Sequence, residues 1–200
     1  MATAGIRAHI ANLSATTIFT TREVLKYGKR GAVDQCLHLL VRSREIRRLA
    51  RGVFVQDPNI NPSIEEIAQI KAAAFGKHIY KYATEVLHQL HILRPDDPST
   101  ESDGKTFAID GHSSGFESFR GPIKYKGIAQ RKARLCESQT GEKVHALWHF
   151  GAEENIEKAV RFVFQSLKRE ERLKLRSCSS LMPGWLNNMF VERFSRTLVA

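Results

Sequence analysis

The stretch "KRGAVDQCLHLLVRSREIRRLARGVFV", residues 29–55, changes its hydrophobic period half-way along. Val33, Cys36, Leu37 and Leu40 recur at i, i+3, i+4 and i+7, the signature of one face of a helix. Arg30, Asp34, His38 and Arg42 fall on the opposite face. From Ile46 the pattern shortens. Ile46–Leu49 and Val53–Val55 read as two short strands around Ala50-Arg51-Gly52, where Gly52 supplies the left-handed conformation that a tight hairpin needs. Alternation within the first strand is imperfect, which predicts a bulge. Arg47, Arg48 and Arg51 crowd this hairpin.

Upstream, "AGIRAHIANL" spaces Ile6, Ile10 and Leu13 as a helix, and "TIF" (17–19) is a short β-prone step. "TTREVLKYG" follows, with Thr20 and Glu23 in a capping-box relation and Gly28 suited to a helix end. The predicted order is helix, short strand, helix, helix, β-hairpin. That is the order of a winged helix-turn-helix, in which the third helix enters the DNA major groove by its N-terminal end and the hairpin is the wing. Lys29, Arg30 and Gln35 are then candidates for the groove, with Arg30 and Gln35 facing bases. Arg47, Arg48 and Arg51 are candidates for phosphates or the minor groove. Thr21 and Arg22, at the start of the second helix, complete the expected DNA-binding set. The plainer alternative is a solvated basic face, with Arg42 and Arg44 serving only the helix dipole.

Charge is concentrated where this reading needs it. The 200-residue chain has a formal net charge of +10, and residues 1–58 hold ten Lys or Arg against four Asp or Glu. More than half of the net charge thus lies in under a third of the chain, which points to nucleic acid, an acidic protein or an anionic surface. Hydrophobic residues make up 42%, enough for a real core. No apolar run approaches a membrane span or resembles a signal peptide, and Cys36, Cys136 and Cys178 are too scattered for a disulfide framework. A cytoplasmic protein with reduced cysteines is expected.

The stretch from Phe19 to Val55 resembles the N-terminal winged helix of AbiEi-like antitoxins, the regulator partners in type IV abortive-infection toxin–antitoxin systems. The features that carry the likeness are Arg30 at the helix start, "AVDQCLHLL", and the basic "IRRLARGVF". "FAIDGHSSGFE", "GPIKYKGI" and "ALWHFG" continue it, so that it covers roughly residues 17–165. Family members usually carry Ser or Thr where this chain has Lys29. The resemblance implies a first domain that binds operator DNA and represses its own operon. It also implies a second that antagonises a nucleotidyltransferase-like toxin. A homodimer, or two copies side by side on DNA, is expected. The rival reading is a protein-interaction module that grips an acidic partner without operator recognition.

"QDPNINPS" (56–63) reads as a linker, dividing a DNA-binding domain at 1–58 from an α+β interaction domain at 63–200. Ser63 and Glu66 form a second capping box for a helix on which Ile64, Ile67, Ala68 and Lys71 share a side. "IYKYATEVLHQLHIL" reads as helix and 94–105 as a loop. "TFAID" and "PIKYKGI" read as strands of a small antiparallel sheet around the turn-rich "GHSSGFESFRG". Helices are expected at "EKVHALWHFG", over 153–171 and from Pro183 onward. Phe162 and Phe164 widen the stripe of the long helix, either as core or as a partner patch.

Catalytic signals are weak. His145 and His149 share a helical face but have no third ligand near them in the sequence. Asp110, His112 and Ser113 are only adjacent in sequence. Gly104-Lys105-Thr106 lacks the upstream glycine of a P-loop. No enzyme activity, metal or cofactor is expected.

Overall fold

Arg30–Arg42 forms the helix that the spacing predicts (α3), and it buries Val33, Cys36, Leu37 and Leu40 along one side. The computed structural model describes residues 2–93, 104–151 and 155–198. The chain is α+β and divides into two compact units. Seven strands are described, hydrogen-bonded in the order β1-β3-β2-β6-β7-β5-β4.

The first unit runs through Ile79 and takes in Ser114–Lys124. It opens with α1 (Ala2–Ala11), β1 (Ile18–Thr20) and α2 (Thr21–Val24), and a single 3-10 turn at Leu25–Tyr27 leads to α3. Glu23 closes the start of α2, accepting from the Thr20 backbone N–H at 2.7 Å and from its hydroxyl at 2.8 Å. Strands β2 (Arg47–Ala50) and β3 (Val53–Val55) then form the hairpin. β3 lies antiparallel between β1 and β2, with Phe19 opposite Phe54 and their rings 5.7 Å apart. Ile6, Ile10, Val24, Leu37, Leu40 and Ile46 close over this pair as one buried cluster. Each such side chain contributes about 1.5–3 kcal/mol on burial.

The expected bulge is present. Arg48 pairs with Phe54 and Ala50 with Val53, so Leu49 is the extra residue of β2. Leu49 and Ala50 at this irregularity are both buried, as are all three residues of β3. Gly52 turns the hairpin at φ 79°, and a Cβ there would meet the Thr21 hydroxyl at 3.4 Å. The free edge of β2 is paired at Ala50 with Ser118 of β6 (Ser114–Ser118). That strand was expected to be a turn. Its Ser and Gly residues hide a segment that is exposed along much of its length and is held by backbone pairing on both sides.

The division expected at 58–63 falls inside the first unit. Arg47 Nη1 donates to the Pro58 carbonyl at 3.2 Å, the Ile60 carbonyl at 3.4 Å and Asn61 Oδ1 at 3.0 Å. Arg120 donates to the carbonyls of Pro62 and Asn61 at 2.9 and 3.0 Å. Two guanidiniums therefore fasten the proline-rich segment to the unit, and α4 (Ile64–Ala73) belongs with it. Ser63 and Glu66 cap α4 reciprocally, as their spacing predicts.

The second unit comprises 106–113 and 125 onward, with the segment from Tyr80. Part of "IYKYATEVLHQL" is strand, β4 (Ile79–Lys81), and the helix α5 (Ala83–Gln89) is shorter than expected. Strands β5 (Lys105–Ile109) and β7 (Gly121–Gly127) follow, then α6 (Gln130–Cys136), α7 (Gln139–Phe150) and α8 (Ile156–Ser166). Helices α9 (Arg169–Ser177) and α10 (Gly184–Leu198) end the described chain. The helix expected over 153–171 breaks at Leu167, which is extended and buried, and Glu171 accepts from the Lys168 N–H at 2.9 Å to start α9. Much of the loop expected at 94–105 and the expected helix start at 153–154 lie outside the described residues. Phe164 enters the core with Val160, Val163, Leu186 and Phe190, whereas Phe162 is exposed. No helix among the described residues is long and apolar enough to cross a membrane.

Because Arg47 holds three acceptors, Arg47→Ala is expected to lower unfolding free energy by about 2 kcal/mol. Arg48→Ala, one residue on and exposed, is expected to stay within about 0.5 kcal/mol. Urea denaturation of the two variants checks the contrast.

Candidate nucleic-acid interface

The start of α3 is unusually cationic. Lys29 occupies the N-cap with extended backbone and no side-chain cap, Arg30 is the first helical residue, and the first turn has no acid. Unsatisfied N–H groups and the helix dipole favour an anion at such an end, so two cations there leave the demand unmet. Arg30 Nε donates to Asp34 Oδ2 at 2.8 Å, but both side chains are more than half exposed. A pair so solvated stabilises by at most about 1 kcal/mol. The order, cation before anion along the helix, is also the weaker one.

The hairpin turn brings more charge to the same place. Arg30, Asp34 and His38 of α3 line a hollow of about 300 Å³ with Arg48, Arg51, Gly52 and Thr21. An adjoining hollow of about 260 Å³ shares Thr21, Arg30, Arg51 and Gly52, and adds Arg22, Lys71 and Phe75. The turn is fixed to α2 by the Thr21 N–H, which donates to the Gly52 carbonyl at 3.0 Å. Lys71 Nζ fixes it from α4, donating to the Arg51 carbonyl at 2.8 Å. Burial holds the Lys71 amine below the usual lysine range, and Arg51 and Arg48 lower it further.

The expected DNA-binding residues divide accordingly. Arg30, Arg48 and Arg51 meet at one hollow. Lys29 and Gln35 are exposed but line neither hollow. Arg22 lines the second, donating to the Ala74 carbonyl at 3.0 Å with its guanidinium 4.3 Å from the Phe75 ring centre. Thr21 is buried and acts through its backbone. Arg47 goes elsewhere: besides its linker acceptors, its guanidinium lies 4.2 Å from the ring centre of Phe119. Strand alternation turns it away from Arg48, and the bulge that follows turns it away from Arg51, so the expected trio of wing arginines is a pair.

Sequence reading missed Lys71 and Phe75. Lys71 stood on the stripe with Ile64, Ile67 and Ala68, and a lone cation on an apolar stripe was the available signal. Phe75 had none, since its role comes from where the end of α4 lies.

The histidine pair of α7 is a different matter. His145 is buried, and burial, then Lys132 and His149, push its pKa down to about 4. His149 is lowered by the same burial and by Lys132, and its ring meets Tyr82 edge-on at 5.5 Å. No group of three or more His, Cys, Asp or Glu suited to a metal occurs among the described residues. The three cysteines are unpaired and buried. Compared with protein-family models, curated proteins and solved structures, the chain matches none.

Two outcomes follow from these environments. Lys29→Ser supplies the missing cap and is expected to raise stability by about 1 kcal/mol in urea denaturation. For His145 the folded pKa lies below the unfolded value of 6.5, so the unfolded chain binds the extra proton. Stability is therefore whole above pH 6.5 and falls as pH drops towards about 4. Over that window the wild type is expected to lose about 3 kcal/mol more than His145→Gln, measured by denaturation at stepped pH.

Proposed function

We propose that the chain is a DNA-binding transcriptional regulator whose first unit works as a winged helix-turn-helix. In this reading α3 is the recognition helix and the β2–β3 hairpin is the wing. The observation that carries it is the shared hollow at which Arg30 meets Arg48 and Arg51. A helix start short of an anion and a cationic hairpin turn converge there, opposed only by Asp34. A phosphate at that point would answer the helix dipole and the guanidiniums together. Gln35 and Lys29, exposed on and before α3, are the side chains for base edges and neighbouring phosphates. Arg47 drops out of the interface.

The resemblance to AbiEi-like antitoxins extends the proposal to an autoregulating antitoxin. The first unit would repress the operon, and the rest would antagonise a nucleotidyltransferase-like toxin.

Duplex DNA from upstream of the gene is expected to bind at sub-micromolar affinity, with steep salt dependence. The double variant Arg48→Ala/Arg51→Ala is expected to lower affinity at least tenfold and to flatten the log–log salt slope by about 2, near 0.9 per lost phosphate contact. Arg47→Ala should leave that slope unchanged. Equal affinity for upstream and random duplex would sink operator recognition. Duplex binding indifferent to both variants would favour the acidic-protein partner.

A further inference from the structure

The second hollow holds more than a duplex phosphate requires. Its cations come from four separate elements: Arg22 from α2, Arg30 from α3, Arg51 from the hairpin turn and Lys71 from α4. No carboxylate lines it. The Arg51 guanidinium has no hydrogen bond or ion pair within the protein among the described residues. Lys71 spends one donor on the Arg51 carbonyl and lies 4.2 Å from the Phe116 ring centre. The remaining donors of both groups are uncommitted. Like charges confined in a partly buried space repel, and an anion removes that cost.

Phe75 forms the other end. It is 59% exposed, large for a phenylalanine, and Arg22 stacks on its ring. An aromatic ring with a cation on one face offers a stacking surface on the other. The hollow is thus polyanionic in preference at one end and aromatic at the other, and its 260 Å³ is near the lower limit of small-ligand sites.

The geometry points to a site for a single nucleotide unit, its phosphates held by Arg30, Arg51 and Lys71 and its base laid on Phe75. The same chemistry is presented by a free nucleoside polyphosphate and by an unpaired nucleotide of a strand. This site does not rest on the duplex reading, which uses neither Lys71 nor Phe75. It shares Arg30 and Arg51 with that reading, so an occupied site would compete with duplex for both.

Calorimetric titration of the full chain with adenosine triphosphate, inorganic triphosphate and an oligothymidylate tests the assignment. At least one of the two nucleotide probes is expected to bind about tenfold or more tighter than the base-free anion matched to it, the base supplying the difference. The matched anions are inorganic triphosphate and abasic oligodeoxyribose phosphate. Phe75→Ala should remove that difference while leaving inorganic triphosphate and duplex affinity within twofold. Lys71→Met should weaken nucleotide and inorganic triphosphate alike, by about tenfold. Preference for the free nucleotide identifies an effector site; preference for oligothymidylate identifies an unpaired strand. Equal affinity with and without a base, or a base preference that survives Phe75→Ala, overturns the proposal. Loss of duplex recognition with nucleotide binding intact would sink the regulator reading and leave this one standing.

Discussion

The extra residue in β2 governs what the first unit presents to its surroundings. A regular strand would send Leu49 and Ala50 to opposite sides. With the bulge between them and Arg48, both are buried while Arg48 stays in solvent. The bulge also places the preceding guanidinium, Arg47, against the 56–63 segment rather than beside Arg51. The positions of the hairpin arginines follow from strand alternation and that one irregularity, and so does the pocket they share with the start of α3.

Much of the first unit was legible because its signals are local. The i, i+3, i+4 spacing from Val33 to Leu40 fixes α3. Thr20 with Glu23 and Ser63 with Glu66 mark two helix starts, and Gly52 marks the turn. What stayed hidden depends on distant parts of the chain meeting. β6 lies between β7 and β2 in the sheet and meets β2 where Ser118 pairs with Ala50, more than sixty residues away in the chain, and nothing in "SGFES" announces it. α8 and α9 are separate because Leu167 takes extended backbone and Glu171 starts a new helix at Lys168, although the apolar stripe Ile156, Val160, Val163 and Leu167 reads as continuous helix. Of the basic surface, the sequence showed the residues but not their partners. Alternation and the expected bulge set Arg47 apart from Arg48 and Arg51, but the acceptors that take Arg47 up lie beyond the hairpin and come together only in the fold. Nor could the sequence join Lys71 and Phe75 to a site whose other members lie on elements before the linker.

Energetically, the basic hollows work against the core beneath them. Phe19, Phe54, Leu37 and their neighbours supply the cohesion. Above them the chain keeps Lys71 partly buried beside Arg51 and Arg48, with its amine lowered in consequence. Replacing any of these cations with a neutral residue would relieve repulsion. A bound anion would offset that cost, at the hollow as at the helix start at Lys29 and Arg30.

The fastening of residues 58–62 by Arg47 and Arg120 bears on how this protein is dissected. Cut after the apparent linker, an N-terminal fragment would lose α4, the Arg120 that grips Asn61 and Pro62, and the β6 strand beside Ala50. Its outer strand would then show bare backbone amides and carbonyls to solvent, an invitation to self-association. The excised piece would tend to be sticky, although its sequence looks like a self-sufficient module.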